Sequence, residues 1–593
     1  MLASIAVLPD AFVRWILPKD VLAAVAVAVA SAAWARGRLP RWFVGASAVA
    51  GLAALLSVLL SAAPGVQLLG RWPRYEGLVT VPVYFGAVWA GARLLGPAAP
   101  ASKLRSLVTA AASAAILLGA VSMLEAAGAR PFASDLARPG ALTGNATDQG
   151  VLGALFVAVL VLPVTRAWTG ARPAWSRARL ERGWLTAALA LAATTVILSA
   201  SRAGFLAALT VVVVLVVLEI TRAGQAGRSR RRRRLLVGAA AVATLVGGAL
   251  AVPLTRERLL GSSPLSTQSL QGRFAFWQDS LDVLGVHPLG VGASGFLNAN
   301  ASASTGEGTL DSPHNWLLQV AMAGGFPLLA VVLGIIVAAS LGGVRRWLAA
   351  ARGGTDSDRT DLLAGALAGL AAFGVALLTH FTAPSTTIVA AMLLGILVAR
   401  GPDGGMGAGS SARVRGGATG IRTVLLSFWA IWLIVIMSAE VPLAAGVLAT
   451  ARGDVSAADA EFRQAQSLRP WDADLAGIAA QSFAAASDAE VAGAAPLAVS
   501  WAERSRVPLP GTVATERALA VGQVNSGDVT EAGRTLAALV EVAPHDAAVA
   551  VQHAVVLYLL GDISGCAGEV RRALELDPAE PTALRLRDVL FSG

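Results

Sequence analysis

Cysteine and charge are what this chain has least of. One cysteine, Cys566, in 593 residues excludes an intramolecular disulfide and any Cys-rich metal site. Charged residues make up 14 % of the chain against 55 % hydrophobic, so it cannot be soluble along its whole length, and repeated apolar runs of about 20 residues mark membrane-spanning helices. The formal charge of +10 invites nucleic acid as a partner. Its arginines, however, gather in short loops between apolar runs, the pattern of membrane topology rather than of a nucleic-acid surface, and no nucleic acid is expected. Asp10, Arg14 and Lys19 interrupt the first apolar region, so a cleavable signal is not expected either.

What is present is a series of apolar runs, at about 20–35, 42–63, 78–96, 104–124, 149–165, 184–200, 203–220, 235–253, 316–341, 361–380, 384–399 and 423–446. The expected fold is all-α: a polytopic bundle of about 12 spans, a partly helical extracytoplasmic loop and a C-terminal helical repeat domain. Its parts are an N-terminal bundle 1–253, the loop 254–315, further spans 316–449 and the repeat domain 450–593. Basic residues follow every second run: Arg36, Arg38 and Arg41; Lys103 and Arg105; Arg166 to Arg182; RSRRRRR at 228–234; Arg345, Arg346 and Arg352; Arg400, Arg413, Arg415 and Arg422. That side is expected to be cytoplasmic. The opposite, extracytoplasmic side then receives the loops 68–77, 125–148, 200–204, 254–315 and 380–386, and everything after about 447.

The tail is Ala-rich and amphipathic and repeats itself. GDVSAADAEFRQAQSLRPWDAD begins at Gly453, GDVTEAGRTLAALVEVAPHDAA at Gly527 and GDISGCAGEVRRALELDPAEPT at Gly561. Each unit opens with Gly-Asp at a turn, runs into a helix and meets Pro ahead of the next one. This tail resembles the tetratricopeptide repeat, which implies either a concave surface for a protein partner or a cap that stabilises the bundle. Residues 401–420 have the composition of a linker.

The polar stretch 270–325, between two membrane-length runs, gathers the titratable groups. It holds Gly272-Arg273, Trp277, HPLGVG at 287–292 and DSPHNW at 311–316. This order resembles the O-antigen ligase and polymerase family of bacterial membrane glycosyltransferases, most closely over 190–340. SAAPGVQLLGRWPRYEGL at 61–78 and TGNATDQGVLGALF at 143–156 resemble the family's earlier outer loops more weakly.

The resemblance implies a multi-pass protein of the bacterial cytoplasmic membrane that moves a glycan from an undecaprenyl-diphosphate carrier to an acceptor hydroxyl on the outer face. The acceptor could be lipid A core, a growing glycan, a wall polymer or, for an O-oligosaccharyltransferase, a protein. Arg202, in ILSASRAGFL between two apolar runs, is an expensive place for a charge and by default a functional one; snorkelling to headgroups is the bland alternative. The resemblance carries diphosphate binding onto Arg202 and Arg273, and a guanidinium fork suits phosphate oxygens. His314, after Pro313 at the mouth of a span, suits a general base, although it could instead bind diphosphate or cap the helix. Asp311 could orient that imidazole or serve as a turn residue, and Arg74 could add charge to the site or be solvated in its loop. His287 is expected to be structural, in a tight turn with Gly292 at positive φ. His380 reaches the same face with no motif around it.

No cofactor and no metal are expected. There is no His-x-x-x-His and no HExxH, and Asp279 and Asp282 have no partner cluster. Arginines can supply the charge stabilisation that a divalent ion would supply, and transfer is expected to survive chelation. The rival class is a transporter or flippase of lipid-linked sugars, which the span count and the helix glycines also fit. Transporters, however, place polar groups near the midplane, whereas here they lie in outer loops.

Overall fold

The structure is a computed structural model that describes residues 1–591 except 34, 36, 135, 170–175, 224–227, 262–263, 304–311, 354–356 and 402–411. Among the described residues it is helical throughout. Its one isolated strand-like bridge joins the backbones of Arg38 and Arg400.

In chain order the bundle has α1 (Leu17–Ala32), α2 (Arg41–Leu59), the six-residue α3 (Pro64–Leu69), α4 (Val81–Leu95), α5 (Ala101–Ala126), α6 (Ala146–Thr169), α7 (Ser176–Leu198), α8 (Arg202–Ala223) and α9 (Arg228–Ala251). Next come α10 (Pro253–Leu260), α11 (Pro264–Val286) and α12 (Phe296–Ala303), then α13 (Trp316–Gly353), α14 (Ser357–Ala376), α15 (Pro384–Val398), α16 (Ala412–Ser438) and α17 (Glu440–Ala451). Each expected apolar run overlaps one of these helices, and the run 423–446 overlaps two, α16 and α17. Among the described residues, eight helical segments are long and apolar enough to cross a membrane. Of the rest, α1, α4 and α15 have only 15 or 16 residues, and the first turns of α7 carry Arg179, Glu181 and Arg182. Helix α16 begins at Ala412, inside the stretch expected to be a linker. Once the run after Arg422 nucleates a helix, extending it upstream costs little per residue.

Burial separates centre from rim. Of the apolar windows of α6 and α14, 72 % and 61 % are buried, against 17 % for α2 and α9, so the first pair forms the centre and the second faces outward. The core is built largely of alanine: Ala111 to Ala115 of α5, Ala192 of α7, Ala207 and Ala208 of α8, and Ala366 and Ala368 of α14 surround Leu152, Leu155 and Phe156. Small residues let membrane helices approach closely. Gly91 of α4 and Gly395 of α15 take this furthest, since a Cβ at either would overlap a backbone carbonyl of the other helix.

The basic loops meet at one end of the bundle. Arg93 donates to Ala30 and Ala33 carbonyls, Arg359 to those of Gly96 and Ala99, Arg166 pairs with Asp358 and Asp361, and Arg222 with Asp361. Helix α13 runs between the two ends and breaks at Gly324 and Gly325, whose dihedrals leave the helical region (Gly325 φ 70°). The HPLGVG turn docks into this break. Val291 N–H donates to the Met322 carbonyl (2.8 Å) and Phe326 N–H to the Pro288 carbonyl (3.2 Å). Gly290 and Gly292 both take positive φ (83° and 91°), the conformation expected of Gly292.

The last 140 residues form four helix pairs: α18 (Val455–Leu468) with α19 (Ala473–Asp488), α20 (Ala494–Arg506) with α21 (Val513–Asn525), α22 (Val529–Val542) with α23 (Ala547–Leu559), and α24 (Ile563–Leu576) with α25 (Pro581–Phe591). The Gly-Asp openings have a physical cause. Gly453, Gly527 and Gly561 adopt left-handed φ, and the following Asp454, Asp528 and Asp562 accept from the N–H of Ala457, Glu531 and Gly565 as N-caps. The pair α20–α21 fills the 74-residue gap between the first two openings. Gly493 is left-handed there too (φ 79°), but it is followed by Ala494 and carries no side-chain cap.

This domain packs on the end of the bundle opposite the basic loops. Arg71 forms a two-pronged pair with Asp474 (Nη2–Oδ1 2.6 Å, Nε–Oδ2 3.1 Å). Fully buried Arg469 bonds Glu440 (2.8 Å), Asp472 (3.2 Å) and the Tyr75 hydroxyl, which itself donates to Asp472 (3.1 Å). The Val13 N–H donates to the Glu440 carboxylate at 2.8 Å. Ala301 of α12 lies in the core of α21 to α23.

Candidate active site

Two groups of residues meet at this second end. The first is a cluster of arginines. Helix α7 stops at a break, Ser199 to Ser201, where Ala200 takes φ 48°, and α8 starts on Arg202. Thr255 of α10 donates to the Ile197 carbonyl (2.7 Å), pinning α10 over the break. Arg202 Nε donates to the carbonyl of Arg258 on α10 (3.0 Å). Arg138, from the loop after α5, donates to the carbonyls of Ser199 and Ala200 (both 3.3 Å). Arg273 arrives on α11, half-buried.

These four guanidinium groups feel one another. Burial first, and then the charges of Arg202 and Arg258, hold Arg273 below the usual arginine range. Burial and Arg202 lower Arg258, and burial and Arg258 bring Arg138 down to about 10. At about 10, Arg138 stays cationic at neutral pH. Among the described residues no carboxylate pairs with Arg138, Arg258 or Arg273. Three neighbouring guanidinium groups, Arg138, Arg258 and Arg273, with no carboxylate partner among the described residues are costly to hold together unless a polyanion is to be bound.

The second group surrounds His314. Asn315 caps α13 by accepting from Leu317 N–H (2.9 Å), and Trp316 N–H donates to the Leu377 carbonyl (3.0 Å), fixing the entry to the helix. His314 itself has φ 51°, uncommon for a side-chain-bearing residue and a conformation that clusters at functional sites. Its Nδ1 lies 3.0 Å from the Ser312 carbonyl. A carbonyl can only accept, so in the neutral ring Nδ1 carries the hydrogen and Nε2 the basic lone pair.

Around this imidazole stand Phe381, edge-on at 5.1 Å, His380 at 6.4 Å and Phe276 of α11 at 6.5 Å. Phe276 lies one turn from Arg273, so α11 links the two groups. Arg74 sits over the Phe381 ring at 4.1 Å and 3.8 Å from Glu76. Glu76 in turn accepts from Gln319 (3.0 Å) and Thr382 (2.9 Å). His380 is buried, with Nε2 3.1 Å from the equally buried Asp148.

Arg202 and Arg273 are therefore brought together, and His314 and Arg74 meet through Phe381. Asp311 lies outside the described residues. His287 closes its turn by accepting from Gly290 N–H (2.8 Å). Four neighbours were missed from the sequence: Arg138, Arg258, Asp148 and, as a member of the site, His380. The one signal available for them was that all lie in loops on the same face.

Residues 187–333 match the family model described as O-antigen ligase. No curated protein matches the chain. The matched segment holds Arg202, Arg258, Arg273 and His314. Arg74, Arg138, Asp148 and His380 lie outside it. The similarity supports an O-antigen ligase-type membrane enzyme with glycosyltransferase-like activity.

Proposed function

We propose that the chain transfers a glycan from an undecaprenyl-diphosphate carrier to an acceptor hydroxyl on the extracytoplasmic face of a bacterial cytoplasmic membrane. The observation that carries this reading is the arginine cluster, in which Arg138, Arg258 and Arg273 have no carboxylate partner among the described residues, joined through α11 to a histidine whose basic nitrogen is Nε2. A lipid diphosphate needs fixed positive charge where the bundle meets the headgroups. The cluster occupies the end of the bundle at which α8 begins.

The step is a single displacement. His314 Nε2 takes the proton of the acceptor hydroxyl as its oxygen bonds the anomeric carbon. The bond from that carbon to the phosphate oxygen breaks, and the electron pair leaves with the diphosphate. Configuration inverts. Arg202 and Arg273 bind the departing diphosphate, and Arg138 and Arg258 add to the charge that meets it. Arg74 is a supporting residue through Phe381, and Asp311, three positions before His314 in the sequence, is the second supporting residue. The four helix pairs, which resemble tetratricopeptide repeats, stand on the same face and suit recognition of a protein or a glycan chain there.

The test uses purified protein, labelled undecaprenyl-diphosphate glycan and a panel of lipid, glycan and protein acceptors. Release of the carrier diphosphate with formation of an inverted glycoside is expected, and it should fall by about 10²–10⁴-fold in His314→Ala with folding unchanged. Movement of intact donor across vesicles without carrier release would favour a flippase, and wild-type turnover in His314→Ala would remove that residue from the site.

A further inference from the structure

The other end of the bundle carries a second cationic site. A groove of about 560 Å³ opens between the ends of α2, α13 and α15, lined by Trp42, Pro97, Leu341, Arg345, Arg346 and Arg400. No carboxylate lines it, and among the described residues none pairs with these three arginines. Arg346 is held in place by its own fold, donating from Nε to the Gly342 carbonyl (3.3 Å) and from Nη1 to that of Ala399 (2.6 Å). The backbone bridge between Arg38 and Arg400 ties the α1–α2 connection to the end of α15 beside the groove.

Position and wall decide what such a groove can hold. From the break at Gly325 to Arg345 is 20 residues, about 30 Å of helix, which is the thickness of a bilayer's hydrocarbon core. Arg345 therefore stands at the headgroup level opposite His314. Below it, Val337, Leu341 and Val344 follow one another at helical spacing and are exposed by 55 %, 56 % and 37 %. They make an apolar stripe leading up to the arginines. Trp42, 39 % exposed, is at the level where amphipathic rings favour the membrane interface. A phosphate among the guanidinium groups with a hydrocarbon chain down the stripe satisfies both surfaces, whereas a free anion would use only the first.

The geometry points to this groove as a binding site for the headgroup of an anionic phospholipid of the leaflet at that end, separate from the diphosphate site. The attraction is that of a basic cluster between transmembrane helices for an acidic headgroup.

The experiment places the full chain in nanodiscs of phosphatidylcholine with a minor share of phosphatidylglycerol, then counts retained lipid by native mass spectrometry after transfer to detergent. Phosphatidylglycerol should be retained over phosphatidylcholine. Retention should fall roughly fivefold for each arginine removed in Arg345→Gln and Arg400→Gln, neither of which has a guanidinium bond among the described residues, while Arg352→Gln, outside the groove, should match the wild type. Equal retention of the two lipids, or undiminished retention in Arg345→Gln/Arg400→Gln, would overturn the assignment. Displacement of the lipid by millimolar inorganic phosphate would also overturn it, making the groove a site for free anions. Melting temperatures of the variants, expected to match the wild type in pure phosphatidylcholine, separate lost binding from lost folding.

Discussion

Replacing Arg258 by Gln separates charge from structure at the proposed diphosphate site. Its carbonyl anchors Arg202 Nε at 3.0 Å, and that anchor is backbone, so the substitution leaves it in place. What disappears is one of four guanidinium groups, one that lowers the proton affinity of both Arg138 and Arg273 by repulsion. The folded state loses an unfavourable interaction and no ion pair, so stability should hold within about 0.5 kcal/mol or rise slightly. The donor complex loses a charge-assisted hydrogen bond worth about 1.5–3 kcal/mol. At 1.36 kcal/mol per factor of ten, kcat/KM for release of the carrier diphosphate should fall roughly 10- to 150-fold. The assay is steady-state release in detergent beside a thermal melt. Arg130→Gln serves as the control, an exposed arginine in the same loop as Arg138 that bonds only the neighbouring Ala129 carbonyl. Unchanged kcat/KM in Arg258→Gln would refute a role for the wider cluster. A parallel collapse of the melting temperature would refute the reasoning about repulsion.

Three further outcomes are expected. Asp148→Ala strips buried His380 of its partner at 3.1 Å and should cost about 1–3 kcal/mol in thermal unfolding, with Asp148→Asn, which keeps an acceptor oxygen, recovering most of it; an unchanged melt in the alanine variant would count against the pair. Arg71→Ala and Asp474→Ala each leave a buried charge alone, with side chains 4 % and 11 % exposed, and should each destabilise by about 3–5 kcal/mol; the double variant should cost much less than the sum, measured as a double-mutant cycle. A reporter active only outside the cytoplasm should work when fused after Ser302 and stay silent after Arg231, and the reverse pattern would invert the proposed topology.

The membrane part was legible because hydrocarbon imposes one rule on every span, and all twelve apolar runs became helices. The break in α13 could be anticipated from Gly324, Gly325 and Pro327, which cannot continue a regular helix, and the HPLGVG turn from its own glycines. Arg202 could be singled out from its place between two apolar runs and His314 from its place at the mouth of a span, whereas Arg273 was pointed to by the family resemblance. The others could not. Arg138 lies in an ordinary polar loop and Arg258 on the short helix α10, and their meaning arises only when the break after α7 draws both of them to Arg202. The His380–Asp148 pair spans 232 residues, with nothing local to either that announces the other. The pair α20–α21 escaped the repeat because Ala494 replaces the capping Asp, although Gly493 keeps the same turn. Caps are a convenience for a helix that tertiary packing already holds.

The contact between Arg71 and Asp474 also orders events in time. The two residues are 403 positions apart, and at about 5–20 residues per second of synthesis roughly 20–80 s pass between the emergence of one and of the other. Through that interval the turn bearing Arg74 and Tyr75 gains its contacts within the bundle, such as Phe381, while Arg469, Asp472 and Asp474 are still to be made. A nascent chain can thus insert every span and still lack the support behind Arg74, so assembly of the last helix pairs becomes the step that finishes the first outer loop. Truncation before the repeat domain would leave an inserted bundle whose earliest-made part is the one left incomplete.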